Sequence, residues 1–205
     1  KPSTYTNHSL PSPDWSAASY FYAQLARHSS GKILLCNLKL PSIQGDTVIA
    51  QWFKELFGIT SQSTSDGVVL FRNAVKQPNF VNLDFSQQPD MAQTMFLLCA
   101  SLGIKGRFTG LHTLRYKETN RIQALCNEVK KMGWTVRKED DTLSLVKQLP
   151  TSIENASFHT YDDHRMAMAL AAAGVNRSQL DDDTVVGKSF PAFWTEWGKL
   201  LIDYT

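Results

Sequence analysis

A chain of 205 residues with 42% hydrophobic and 20% charged side chains can bury a sizeable core, and its ordinary globular balance excludes a disordered or fibrous polymer. The 21 basic and 19 acidic side chains leave a formal net charge of +2, too even for a nucleic-acid or membrane-surface footprint. No apolar run approaches the roughly 20 residues that span a bilayer, and Cys36, Cys99 and Cys126 stand in separate apolar runs, which predicts buried free thiols in a reducing cytosol.

In chain order, the polar stretch KPSTYTNHSLPSP begins at Lys1 rather than Met and reads as part of something longer. PDWSAASYFYAQLARHSSG at 13–31 predicts a helix, with an acid placed to cap its start and a glycine at its end. KILLCNL at 32–38 predicts a strand and 46–57 an amphipathic helix, followed by paired strands at GVVLF, 67–71, and FVNLDF, 80–85. The pattern then repeats. PDMAQTMFLLCASLG at 89–103 reads as a second apolar helix, KGRFTGL at 105–111 as a strand, and 117–132 as an outer helix with Ile122, Leu125, Val129 and Met132 on one stripe. WTVRK at 134–138 and TLSLV at 142–146 close that unit as strands. DDHRMAMALAAAG at 162–174 predicts a third apolar helix, DDTVVG at 182–187 a strand, and 191–203 a last helix.

The leading acids Asp14, Asp90 and Asp163 recur about every 75 residues, the mark of a repeated supersecondary unit. The expected fold is therefore α/β (α+β): β-α-β-α-β-β units spanning about 13–85, 86–150 and 156–205, in one good-sized domain or two small ones. The greasy helices lie inside, the sheets outside, and the third unit is incomplete.

Helix starts in such a frame present their positive ends on one side, a natural place for an anion. LRYKETNRIQAL at 114–125 puts Lys117 and Arg121 four residues apart in one predicted first turn, with Glu118 between them. DDHR at 162–165 adds His164 and Arg165, QQPDMAQTM adds Asp90, and GKSFPAFW adds Lys188 before a Pro-started helix. Each has a plain structural reading as a cap or a solvated charge. Together, four cations and two carboxylates at helix starts suit substrates rich in phosphate and carboxylate, with proton transfer between them. A metal reading of His159, Asp162, Asp163 and His164 lacks any further ligand placed by spacing.

DWSAASY, PDMAQT, LRYKETNR, YDDHRMAM and GKSFP, in this order, resemble the C-terminal part of the 5-enolpyruvylshikimate-3-phosphate synthase (3-phosphoshikimate 1-carboxyvinyltransferase) family from about residue 13 to 203. The resemblance implies half of a two-domain, cytoplasmic, monomeric enolpyruvyl transferase whose missing N-terminal domain supplies the other wall of the cleft. It implies transfer of enolpyruvyl from phosphoenolpyruvate to the 5-hydroxyl of shikimate 3-phosphate through a tetrahedral intermediate, without metal or organic cofactor. By motif, Asp90 resembles the carboxylate at the shikimate hydroxyls, Lys117 the lysine beside the 5-hydroxyl, and Glu118 the acid/base at the methylene. Arg121, Arg165 and Lys188 resemble the cations that hold phosphoenolpyruvate, with His164 a supporting neighbour. Thr113 stands where many members have asparagine, Asn120 replaces a common aspartate, and Ser189 replaces threonine. Two rival readings are the sister enzyme acting on UDP-N-acetylglucosamine and, for the chain alone, an inactive anion-binding module.

Overall fold

The computed structural model describes residues 6–9, 14–73 and 75–202. By their contacts they gather into two compact units, Lys1–Gln77 with Gly187–Thr205, and Pro78–Val186.

In the first unit β1 (Thr6–Ser9) leads to α1 (Trp15–Ala26), every residue of which is buried. Small and aromatic side chains on all faces leave this helix no solvent side, so it is enclosed rather than laid on a surface. β2 (Gly31–Cys36) pairs with β1 in parallel. α2 (Val48–Phe57) buries Ile49, Phe53 and Phe57 on one stripe and stops at Gly58, whose φ of 65° ends the helix in the left-handed region. β3 (Ile59–Ser63) and β4 (Gly67–Arg72) form an antiparallel hairpin, giving the sheet order β1-β2-β4-β3. The last helix, α6 (Phe193–Ile202), belongs to this unit and packs Phe193 and Trp197 against Tyr20 and Phe21 of α1.

The second unit repeats the plan. β5 (Phe80–Asp84), α3 (Ala92–Ser101), β6 (Lys105–Thr109), α4 (Arg121–Lys131), β7 (Trp134–Glu139) and β8 (Thr142–Gln148) give the order β5-β6-β8-β7. Two β-α-β-α-β-β units thus share one sheet topology, the repeated plan that the sequence predicts. β5 and β6 alternate exposed and buried residues, and the buried face meets α3, with the Phe96 and Phe108 rings 4.9 Å apart edge to face. α4 buries Ile122, Leu125, Val129 and Met132, the stripe anticipated from spacing. α5 (His164–Ala172) is apolar from Met166 onward and packs on α3 inside this unit.

Several expectations need correction. FVNLDF does not pair with GVVLF: β5 lies parallel to β6 and opens the second sheet, while the hairpin partner of β4 is β3. That strand, ITSQS, is polar and follows α2 with only Gly58 between, so neither apolar alternation nor a loop announced it. DDTVVG is not a strand. Asp182 accepts from the backbone N–H and the hydroxyl of Thr184, and the chain turns into a 3-10 helix over Thr184–Lys188. The third stretch has, among the described residues, no sheet beyond one parallel bridge between Phe158 and Leu180, in keeping with an incomplete unit. Residue 203 of the predicted last helix lies outside the described residues.

Cys99 and Cys126 are buried thiols and Cys36 is half-buried; burial alone pushes the Cys99 thiol up to about 12. No helix among the described residues is long and apolar enough to cross a membrane.

Candidate active site

The two capping acids of the repeat share one backbone conformation. Asp14 (φ −116°, ψ 111°) accepts from the N–H groups of Ser16 and Ala17, and Asp163 (φ −117°, ψ 113°) accepts from that of Arg165. Asp90 breaks the pattern. It sits in a 3-10 turn, Pro89–Met91, ahead of α3, and no backbone N–H there takes its carboxylate as a cap. Its expected capping role is therefore corrected, and the carboxylate faces cations instead. Oδ1 lies 3.5 Å from Lys117 Nζ and 3.3 Å from Arg121 Nη1, and Oδ2 lies 3.0 Å from Arg165 Nη2.

Lys117 and Glu118 are not in a helical first turn either. Lys117 is extended (φ −92°, ψ −160°) after a 3-10 helix over His112–Tyr116, and α4 begins only at Arg121. The reason is Asn120, whose side-chain oxygen accepts from Gln123 N–H at 3.1 Å and fixes the helix start there. Amide and carboxylate oxygens both serve as N-caps, so asparagine at this position is enough to start the helix.

Arg121 is the hub. Its side chain is 1% exposed and meets three carboxylates: Asp163 through Nε at 2.7 Å, Glu118 through Nη2 at 2.5 Å, and Asp90 through Nη1. The Gln93 amide, with its oxygen toward the guanidinium, accepts at 2.9 Å from Nε and 3.1 Å from Nη1. A planar five-donor fork suits such a site where a lysine would not. Asp163 is fully buried at 0% exposure, so cap and ion pair are made by the same desolvated carboxylate. Around this dry base Asp90, Lys117 and Glu118 form a half-open rim, with Arg165 more enclosed. Three cations face three carboxylates. An anion arriving at the rim competes with Asp90 and Glu118 for the same donors.

His164 opens α5 with Nδ1 4.0 Å from Glu118 Oε1, and this buried nitrogen has no hydrogen-bond partner. Burial first, then the neighbouring Arg165 and Arg121 charges, lower its pKa below the ordinary 6.5, against the opposing pull of Asp163 and Glu118. The imidazole is thus held neutral near pH 7. A group whose folded value is depressed contributes stability that is whole above 6.5 and is lost as pH falls below it through the folded value. His164→Gln is therefore expected to flatten the acid side of the stability profile. Urea midpoints should match in slope above pH 6.5 and separate only below it; a constant offset would mean that the imidazole does not titrate in this way.

Of the residues singled out from sequence, Asp90, Lys117, Glu118, Arg121, His164 and Arg165 come together in the second unit. Lys188 is exposed, ends the 3-10 helix Thr184–Lys188, and belongs by contacts to the first unit. His159 pairs with Asp181 at 2.8 Å rather than with the acids at 162 and 163. Sequence reasoning missed Gln93 and saw Asp163 as a cap or a candidate metal ligand, not as the partner of Arg121. A glutamine on a helix otherwise apolar at nearly every position was the available signal for Gln93.

A family model described as EPSP synthase (3-phosphoshikimate 1-carboxyvinyltransferase) matches residues 3–197. The 3-phosphoshikimate 1-carboxyvinyltransferase of Bacteroides fragilis strain YCH46 is 39% identical over 198 residues, which is 94% of this chain and 48% of that protein. The one from Methanosarcina mazei is 33% identical over 91% of this chain and 43% of its own length. Among solved structures, EPSP synthase from Acinetobacter baumannii superposes with a TM-score of 0.62 at 21% identity, covering 90% of this chain and 45% of that one. An enolpyruvyl transferase from Streptomyces tendae superposes at 0.60 and 14% identity over 92% of this chain and 43% of its own. These two likenesses speak to the fold. The chain spans about half the length of the curated relatives it matches.

Proposed function

This chain belongs to the EPSP synthase (3-phosphoshikimate 1-carboxyvinyltransferase) family, and from that premise we propose that it is the C-terminal domain, 1–205, of a two-domain, cytoplasmic, monomeric transferase. It supplies half of a site in which the enolpyruvyl group of phosphoenolpyruvate passes to the 5-hydroxyl of shikimate 3-phosphate and inorganic phosphate leaves. A partner domain supplies the remaining phosphate contacts. The observation that carries this reading is the convergence of Asp90, Lys117, Glu118, Arg121 and Arg165 at the starts of α3, α4 and α5.

The chemistry has two stages. In addition, the methylene carbon of phosphoenolpyruvate takes a proton, the 5-hydroxyl oxygen bonds to the adjacent carbon, and the hydroxyl proton goes to a base. In elimination, a methyl proton and the phosphate leave and the double bond returns. Glu118, on the rim and beside Arg121, is placed to give and later retrieve the methylene proton. Asp90 takes the hydroxyl proton, and Lys117, 3.5 Å from Asp90, stabilises the negative charge that develops on the hydroxyl oxygen as it attacks. Arg165 and Arg121 hold the carboxylate and phosphate of the donor, with Lys188 as a further cation. His164, kept neutral, stands 4.0 Å from Glu118 as a supporting neighbour that adds no charge. No step calls for a metal or an organic cofactor.

The chain alone is expected to bind phosphoenolpyruvate without turning it over, because half a cleft leaves the reaction open to water. Adding the N-terminal half of the Bacteroides fragilis relative should restore phosphate release that depends on shikimate 3-phosphate. If UDP-N-acetylglucosamine served as acceptor instead, the sister activity would replace transfer to shikimate 3-phosphate. Turnover by the chain alone would end the half-site argument.

A further inference from the structure

Two residues just before α5 carry a backbone cost that the site does not itself explain. Tyr161 (φ 57°) and Asp162 (φ 55°) are consecutive non-glycine residues in the left-handed region. They are the middle of a four-residue turn closed by Asp163 N–H donating to Thr160 O at 3.0 Å. Positive φ at both central positions defines a type I′ turn, which prefers glycine and asparagine; tyrosine is a poor choice on local grounds. Such strain persists where surrounding structure over-determines it.

What holds it is a buried acid on α4. Glu128 is 0% exposed. Its Oε1 accepts from the Tyr161 hydroxyl at 2.6 Å, and its Oε2 accepts from His159 N–H at 3.1 Å and from Lys131 Nζ at 2.7 Å. Asn127 adds a donor to the same phenol oxygen at 3.3 Å. Asp181 grips the turn from its other end, accepting from the N–H and hydroxyl of Thr160 at 2.8 and 2.9 Å. Arg121 and Glu128 both belong to α4, two helical turns apart and so on one face. Arg121 holds the residue just after the left-handed pair and Glu128 holds the first residue of that pair.

We propose that Glu128 is a positioning residue: by tethering Tyr161 it holds the left-handed turn, and so sets Asp163 in register to cap α5 and to orient Arg121 against Asp90 and Glu118. The tether touches no reacting atom. Its consequence for ligand binding rests on the functional reading above; its effect on the turn does not.

The test compares ways of losing the tether. Tyr161→Phe removes the hydroxyl and keeps a residue that resists positive φ. Tyr161→Asn also removes the tether, but asparagine adopts the left-handed region readily. Glu128→Gln weakens the acceptor and leaves Lys131 without its ion pair. The readout is hydrogen exchange, by NMR on the intact chain, at the Arg165 amide and the Arg121 Nε–H, both of which end on Asp163. Tyr161→Phe and Glu128→Gln should each speed exchange about tenfold at these two sites, the scale set by one left-handed non-glycine residue. Tyr161→Asn should stay within about twofold of wild type. If the phenol served only as a packed, hydrogen-bonded ring, asparagine, which loses more of it, would be the worse variant, and that order overturns the proposal. Unchanged exchange in Tyr161→Phe overturns it, and so does a loss spread equally over the β6 and β8 amides. The dissociation constant of phosphoenolpyruvate should follow the same order. Failure of the wild-type chain to bind phosphoenolpyruvate would count against the functional reading, while the exchange order would still decide the role of Glu128.

Discussion

Arg121→Ala is expected to cost about 3–5 kcal/mol of stability at neutral pH, more than any rim substitution, because it strands a buried charge. The guanidinium is 1% exposed and Asp163 0% exposed, so water cannot take over as the partner of the carboxylate. Gln93, itself buried, would lose both of its donors as well. The penalty comes from what is left behind, and the prediction therefore has an internal check. Adding Asp163→Asn, which removes the charge but keeps an N-cap acceptor, should restore part of the loss, so the two substitutions should be non-additive. Urea unfolding midpoints of the four combinations measure this. A single variant within about 0.5 kcal/mol of wild type would mean that the pair is not desolvated as described. In the complete enzyme the same substitution is also expected to raise the apparent constant for phosphoenolpyruvate at least tenfold, about 1.4 kcal/mol. Arg165→Ala, whose side chain is less deeply buried than that of Arg121, should show the kinetic loss with a smaller structural one.

That contrast bears on what the sequence could reveal. The three apolar helices were legible because α1, α3 and α5 are greasy all round, a pattern with no surface interpretation. The stripe on α4 was legible from spacing alone. β3 was not, because ITSQS owes its strand to pairing with β4 rather than to its own composition. DDTVVG misled for the opposite reason: Val185 and Val186 suggested a strand, and Asp182, by accepting from Thr184, turned the chain instead. At the site, charge types and helix starts picked out groups that the structure brings together, although two of the detailed expectations failed. Asp90 is not a cap, and Lys117 and Glu118 precede the helix rather than open it. Neither failure separates the groups, since convergence depends on where α3, α4 and α5 begin. The hydrogen-bond tethers of Glu128 and Gln93 were invisible because they are long-range pairings, which spacing along one helix does not encode.

Asp90→Asn is expected to divide two properties that usually fall together. The carboxylate is 29% exposed and caps nothing, so the fold should survive with a change of about 1 kcal/mol or less. Turnover of the complete enzyme should drop by about 10²–10⁴-fold, the usual span for removing a positioned proton acceptor. Anion binding by the chain alone should move the other way. In the resting protein Asp90 occupies Lys117, Arg121 and Arg165 together, as an internal substitute for the ligand's own oxygens. A neutral amide competes for those donors less strongly than a carboxylate does. Phosphate or phosphoenolpyruvate should therefore bind Asp90→Asn more tightly than wild type, by titration calorimetry, even as the reaction slows. Weaker binding together with slower turnover would make Asp90 a scaffold for the cations, and an unfolded variant would make it a structural residue. Tighter binding with lost turnover is what a base produces when it must first release the cations that will hold its substrate.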